Sequence, residues 1–309
     1  MRRALDAARL DGAIVIDKPQ GLTSFSALRV AQRALGQKTI GHAGTLDPMA
    51  TGVLVLLIGE ATKLSNLVME HDKVYEATIL LGVETDTLDA EGVPTLTRPI
   101  PPDAVDPTYV VERLADFIGE RPQVPPRYSA LKKDGRTHMS RARAGEEFEI
   151  EPRPSLCHGL ELMRVDGGAL TIRVHCGKGY YVRSFARDLG RALGTCAHLV
   201  ALRRTRVGVF DISRAVVPGE VSPNHLIPLI ELLPDVPKLV LDGRLLDDVR
   251  CGRMPLLPEG DDSLAGCSTI LGITTSREPV ALLSATLAPR PILKVQRGFM
   301  PPDSGRRPS

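Results

Sequence analysis

The stretch Gly41-His42-Ala43-Gly44-Thr45-Leu46-Asp47-Pro48-Met49-Ala50-Thr51-Gly52 holds one carboxylate, Asp47, among glycines, small residues and a proline. It runs directly into the apolar segment Val53-Leu54-Val55-Leu56-Leu57-Ile58. Gly41, Gly44 and Gly52 permit close approach or positive φ, and Pro48 fixes the chain just after the acid. Such a frame aims a single carboxylate from a constrained loop; the plainer reading is a surface turn closed by an Asp-Pro cap. The apolar run is short for a core helix and fits a strand or a buried helical segment. Its branched residues favour the strand.

Working outward, Ala13-Ile14-Val15-Ile16 reads as a buried strand closed by Asp17-Lys18-Pro19-Gln20-Gly21. Thr23 or Ser24 then caps a helix with Leu28, Val30, Ala31, Ala34 and Leu35 near helical spacing, stopped at Gly36. Ala61 to Met69 reads as a helix and Val74 to Leu81 as a strand, followed by an acidic turn carrying Asp86, Asp89, Glu91 and Gly92. Asp106-Pro107 opens a helix expected to run to Gly119. Gln123-Val124-Pro125-Pro126 breaks regular structure and starts a charged excursion over the surface. Leu170 to His175 reads as a strand, and Val182, Phe185, Ala186, Leu189 and Leu193 as a helical stripe ending at Gly194. Strands and helices mix without βαβ alternation, which predicts an α+β fold built on a largely antiparallel sheet flanked by helices. Near Pro234 to Pro237 the composition turns acidic, and Val280–Leu283 and Ile292–Val295 read as short strands of a small all-β module. The segment Pro301 to Ser309 reads as a disordered tail.

No apolar run approaches the ~20 residues of a membrane-crossing helix, and the basic start Met1-Arg2-Arg3 leads into no signal-peptide core. Five scattered cysteines, an odd number, argue for reduced thiols in a cytoplasmic protein. Net charge is only +2, yet the basic residues are concentrated. Arg127 to Gly145 holds Arg127, Lys132, Lys133, Arg136, Arg141 and Arg143 against Asp134 alone. Arg173 to Arg206 holds Arg173, Lys178, Arg183, Arg187, Arg191, Arg203, Arg204 and Arg206 against Asp188 alone. With Tyr128, Tyr180 and Tyr181 inside them, these blocks suit phosphates and unstacked bases, and Arg203 and Arg204 are expected on a polyanion-binding face. Solvated basic helix faces are the bland alternative.

The pairs Cys157-His158 and His175-Cys176 invite a metal reading, but strand neighbours face opposite sides and no second pair with zinc-type spacing accompanies them. Core thiols and surface histidines explain them better, so no metal is expected. Gly177-Lys178-Gly179 lacks the dinucleotide and Walker patterns, and no serine sits in a nucleophile elbow. That leaves a carboxylate enzyme without cofactor, or a non-enzyme. Asp47 then needs a partner, and Arg183, at a helix start after the glycine turn, is the candidate; its guanidinium would orient the acid and lower its pKa.

At this point an ordered set of motifs resembles one family, the bacterial tRNA pseudouridine-55 synthases of the TruB type. The set comprises Ile16–Ser24, Gly41–Leu54, Gly59–Lys63, Lys73-Val74-Tyr75, Leu81–Gly92, Gln123–Lys132, Lys178–Ser184 and Ala197–Arg204. The resemblance spans Gly12 to Phe210. It implies the pseudouridine synthase fold in residues 1–236, with an RNA-gripping insertion at about 123–150, a small PUA-like RNA-binding module in 237–298, and a tail in 299–309. It implies Asp47 as catalytic aspartate, Tyr75 as the tyrosine against the flipped base, and Arg183 as the partner of the acid. His42, Tyr181 and Leu202 match positions lining the nucleotide site, and Lys18, grouped with the substrate-binding residues, belongs to the motif that supports the catalytic loop. Where the family often has tyrosine after the Gly135 turn, this chain has Thr137-His138-Met139-Ser140. The implied partner is the T-loop and stem of tRNA, for a monomer without cofactor, metal, membrane or protein partner. A non-catalytic tRNA-binding or tRNA-folding protein of the same fold is the alternative.

Overall fold

The computed structural model describes residues 9–129, 131–133, 135–287 and 290–300. The apolar run lies in the strand Thr51–Ile58, and its unbroken hydrophobicity has a cause. Leu54, Leu56 and Ile58 pack into a core on one side of the sheet; Val53, Val55 and Leu57 pack into a second core on the other, and all six are fully buried. Strands covered on both faces lose polar alternation. At 1.5–3 kcal/mol per buried side chain, this one strand contributes on the order of 10 kcal/mol of gross transfer free energy.

Around it lies a ten-stranded sheet. Its main order is Ile227–Pro228, Gly12–Lys18, Thr51–Ile58, Ala197–Val207, Lys73–Leu81, Ala169–Cys176, Arg153–Asp166 and Gly119–Gln123. Ile40–Ala43 pairs with Thr51–Ile58, and Phe210–Asp211 with Ala197–Val207. Among the described residues, only the contact between Thr51–Ile58 and Ala197–Val207 is a parallel strand pairing in this sheet. That contact brings the Asp47 loop, which enters Thr51–Ile58, beside the middle of the sheet.

The helices follow their caps. Ser24–Leu35 starts where the Thr23 side chain accepts from the Ser26 N–H, and it stops at Gly36. Pro107–Ala115 begins at Asp106, whose side chain accepts from the Tyr109 N–H. It is shorter than expected: Asp116, Phe117 and Ile118 donate to carbonyls three residues back, tightening the end, and Gly119 opens a strand instead of closing the helix. Ala61 to Met69 likewise divides into a 3₁₀ segment, Gly59–Leu64, and a short helix, Ser65–Glu70. The excursion after Pro126 contains a hairpin of Lys132–Lys133 and Arg136–Thr137, then the helix His138–Arg143. No helix among the described residues is long and apolar enough to cross a membrane.

A second, four-stranded sheet follows, in the order Lys238–Val240, Ile270–Ile273, Pro279–Ala285 and Leu293–Gly298. Leu271, Ile273 and Leu282 from it share one core with Val55, Leu57 and Phe210 of the large sheet. Phe299, expected in the tail, is buried in that same core, and the Met300 N–H donates to Glu60 at 2.8 Å. The chain is therefore packed through Met300. Residues 301–309 of the expected tail lie outside the described residues.

Candidate active site

Asp47 is held from four directions. Ser24, the first residue of its helix, is buried; its hydroxyl donates to Leu46 O at 3.0 Å and accepts from Leu46 N at 2.8 Å. Arg204 donates to Gly44 O at 3.0 Å and to Val53 O at 2.8 Å, bolting both sides of the loop together. Lys18 Nζ, fully buried, donates to Leu22 O at 2.6 Å, Pro19 O at 3.0 Å and Pro48 O at 3.3 Å. The Gly21 N–H also donates to Pro48 O, at 2.9 Å. A loop satisfied this fully leaves the Asp47 side chain little freedom before substrate arrives, which is the geometric requirement for preorganised catalysis.

Gly52 shows how tight the frame is. Its φ is +100°, and a Cβ there would stand 2.1 Å from Arg204 O. Only glycine allows the parallel register of Arg204 against Gly52.

Arg183 is the second residue of the helix Val182–Ala192 and is buried. Its Nε donates to Asp47 Oδ2 at 3.0 Å, while Nη1 reaches Asp89 Oδ2 at 3.4 Å. Nη1 also donates to Thr87 O at 3.0 Å, and Nη2 to Tyr128 O at 2.9 Å. The guanidinium thus joins the Asp47 loop, the acidic turn and the segment that follows Pro126. Asp89 is itself fixed, accepting from the Thr87 hydroxyl at 2.6 Å and the Glu91 N–H at 3.1 Å.

Asp47, Arg183 and Arg204 line a cavity of about 740 Å³. Asp47, Tyr75, Tyr181, Arg183 and Leu202 share its wall, as does Met139 from the insertion. Tyr75 points inward from Lys73–Leu81 and is buried, which pushes its phenol up, so it presents a neutral ring. Lys73, on the same buried side, is brought down to about 8 by burial. Asp47 has a side chain 37 % exposed into this space. Partial burial raises its pKa above 3.8; Arg183 and Lys18 oppose the rise, and Asp89 adds to it. Arg183 pulls the pKa of the acid down, as expected, but desolvation outweighs it and the net shift is upward.

Two expected site residues stand apart from the cavity wall. Lys18 spends its ammonium on backbone carbonyls, so it is a support for the Pro48 side of the loop and not a substrate contact. His42 lies on Ile40–Ala43, with its pKa lowered by burial and by Arg204, and its buried Nδ1 has no hydrogen-bond partner among the described residues. Ser24, Asp89 and Arg204 carry geometry that the sequence reading did not assign to the site.

The expected RNA face is also redrawn. Arg204 is only 1 % exposed, and Arg203 forms an ion pair with Asp17 at 2.7 Å. Arg173 pairs with Glu161, Arg187 with Asp188 and Arg191 with Glu84, so the second basic block is largely neutralised within the fold. In the first block, Arg136 and Arg141 both engage Glu146, which lies one residue beyond the segment counted as basic. Arg143 remains exposed on the helix of the insertion. Arg143→Glu is expected to weaken RNA binding and flatten the slope of log K against log salt by about 1 or more. Filter binding across a salt series checks this, and an unaltered slope would remove Arg143 from the RNA face.

Comparison with known proteins then bears on this site. Residues 32–182 match the N-terminal domain of the TruB family of pseudouridylate synthases, and residues 183–223 match a C-terminal domain of tRNA pseudouridylate synthase B. A tRNA pseudouridine synthase B from Aromatoleum aromaticum is 47 % identical over 258 residues, covering 81 % of this chain and 83 % of that protein. One from Cupriavidus metallidurans is 44 % identical over 262 residues, covering 81 % and 82 %. The fold is similar to that in a structure of an H/ACA ribonucleoprotein bound to a substrate RNA containing 2'-deoxyuridine, with a TM-score of 0.70, 21 % identity, and coverage of 97 % and 89 %. With a constrained loop carboxylate, a buried arginine against it and relatives at this identity, the chain belongs to the TruB family of pseudouridylate synthases.

Proposed function

We propose that the cavity receives the T-loop uridine at position 55 of tRNA, turned out of its stack, and that Asp47 drives its isomerisation to pseudouridine. The observation that carries this reading is Arg183 Nε at 3.0 Å from Asp47 in a cavity walled by Tyr75. In the reaction the C1'–N1 bond breaks, the uracil turns, a C1'–C5 bond forms, and the proton on C5 is lost as N1 gains one. Atoms balance without a redox partner. Asp47 can attack the sugar or the base, or take a sugar proton; each role uses the ionised carboxylate. Turning the uridine out costs a few kcal/mol, and a ring such as Tyr75 against the base offsets about 1–3 kcal/mol. Arg183 orients the acid and stabilises its charge.

Purified protein with an unmodified tRNA transcript labelled with tritium at C5 tests the reading. Tritium release mapped to position 55 is expected. Binding without release would instead favour a tRNA-folding protein. We also propose that the chain works as a cytoplasmic monomer, without protein partner, metal or cofactor in this reaction, and that the C-terminal sheet adds RNA contacts.

The electrostatics give a signed pH test. Ionised Asp47 is needed, and its pKa lies above 3.8, so the acid limb of kcat/KM should sit above the ordinary aspartate value. Arg183→Gln removes a cation that lowers this pKa, so the limb should move to higher pH. Asp89→Asn removes a charge that raises it, so the limb should move to lower pH. Shifts in the same direction for both variants would refute the assignment.

A further inference from the structure

Three side chains that the reaction does not use converge where three strands meet. Asp72 immediately precedes Lys73–Leu81. His175 lies on Ala169–Cys176, with Val74 as its cross-strand neighbour. His158 lies on Arg153–Asp166, where the register shifts between Cys157 and Gly159 and frees it from the ladder. His158 Nε2 stands 3.0 Å from Asp72 Oδ1, and His175 Nε2 stands 3.9 Å from Asp72 Oδ2. The two imidazole centroids are 4.6 Å apart, and the three ligand atoms all fall within 4.8 Å of one another.

We infer that Asp72, His158 and His175 form a binding site for a divalent late transition cation of the Zn²⁺ class. Two imidazoles and one carboxylate are a donor set that Zn²⁺ accepts, with bond lengths near 2.0–2.2 Å and an open position left for water. Tetrahedral donors at those lengths lie about 3.3 Å apart, so small rotamer adjustments close the cluster around an ion. The backbone is already placed for this. The Gly208 N–H donates to Asp72 O at 2.8 Å, and both histidines sit on paired strands. Sequence spacing conceals the site because its ligands come from two strands and the residue just before a third, with no local pair of zinc-type spacing.

The site lies apart from the chemistry. Along Lys73–Leu81 burial alternates, with Lys73 and Tyr75 on the cavity side and Val74 on the other. His175 neighbours Val74, so the cation would sit on the face opposite Tyr75 and staple the strand ends.

The test uses the untagged full chain, stripped with chelator, with Zn²⁺ titrated by calorimetry and Co²⁺ followed by its visible spectrum. One ion per chain is expected, with no thiolate charge-transfer band. Since loss of an outer-shell partner alone costs about 10–100-fold in metal affinity, His158→Ala and His175→Ala should each weaken binding by at least about tenfold. Asp72→Asn, which preserves shape, should weaken binding in the same direction. Absence of stoichiometric uptake, a thiolate band placing the ion at Cys251 or Cys267, or parental affinity in these folded variants would overturn the inference.

Discussion

Asp47→Asn is expected to bind tRNA as the parent does and to form no pseudouridine. The amide keeps the shape of the side chain but can neither attack carbon nor take a proton at neutral pH. A positioned base contributes a rate factor of about 10²–10⁴, and an attacking nucleophile as much as about 10⁶. Arg183 keeps its bonds to Thr87 O and Tyr128 O and its contact with Asp89, so the wall of the cavity should persist. Stability should not fall. A carboxylate whose pKa is raised by folding is disfavoured in its ionised form, and that cost appears as pH rises through the unfolded value; a neutral amide avoids it. Tritium release and filter binding on the same preparation check the result. Turnover within tenfold of the parent would end the role given to Asp47.

Gly52→Ala should be the most destabilising single-methyl change near the site. The new Cβ would meet Arg204 O at 2.1 Å, in a backbone conformation with φ of +100° that alanine resists. Strain at such a φ costs about 1–3 kcal/mol and overpacking another 1–3, so a loss of about 4 kcal/mol is expected. That corresponds to a fall in Tm on the order of 10 °C for a domain of this size. The loop and the strand pair share this point, so activity should fall with stability. A thermal melt within 2–3 °C of the parent, roughly 1 kcal/mol, would show that the contact relaxes freely.

The contrast between residues that stood out in the sequence and those that did not has a physical basis. Asp47 stood out because glycine and proline around an acid are local signals, and Arg183 because a helix start after a glycine turn is local too. The α+β class followed from elements whose patterns are short-range, and the paired strands bear it out. Arg204 was misplaced because its charge was taken as a sign of exposure. The register runs without a shift from Ala201 to Arg204, so Arg204 turns inward with Leu202, and its guanidinium is satisfied by backbone carbonyls that are remote in sequence. Asp89 looked like one more acid in a solvated turn; only the fold brings Arg183 over it. Ser24 was read as a possible cap, whereas Thr23 caps the helix and leaves the Ser24 hydroxyl for Leu46.

The common core of the two sheets has a practical consequence for cutting the chain apart. Truncation before Lys238 would remove Leu271, Ile273, Leu282 and Phe299 from against Val55, Leu57 and Phe210, leaving an oily scar on the back of the large sheet. A fragment ending there should be recovered as aggregate, and its inactivity would report that scar before it reported any missing grip on RNA. Point changes at exposed positions of the Leu293–Gly298 strand, such as Lys294→Glu and Arg297→Glu, remove none of the seam's apolar side chains and are the means of asking what the small sheet contributes.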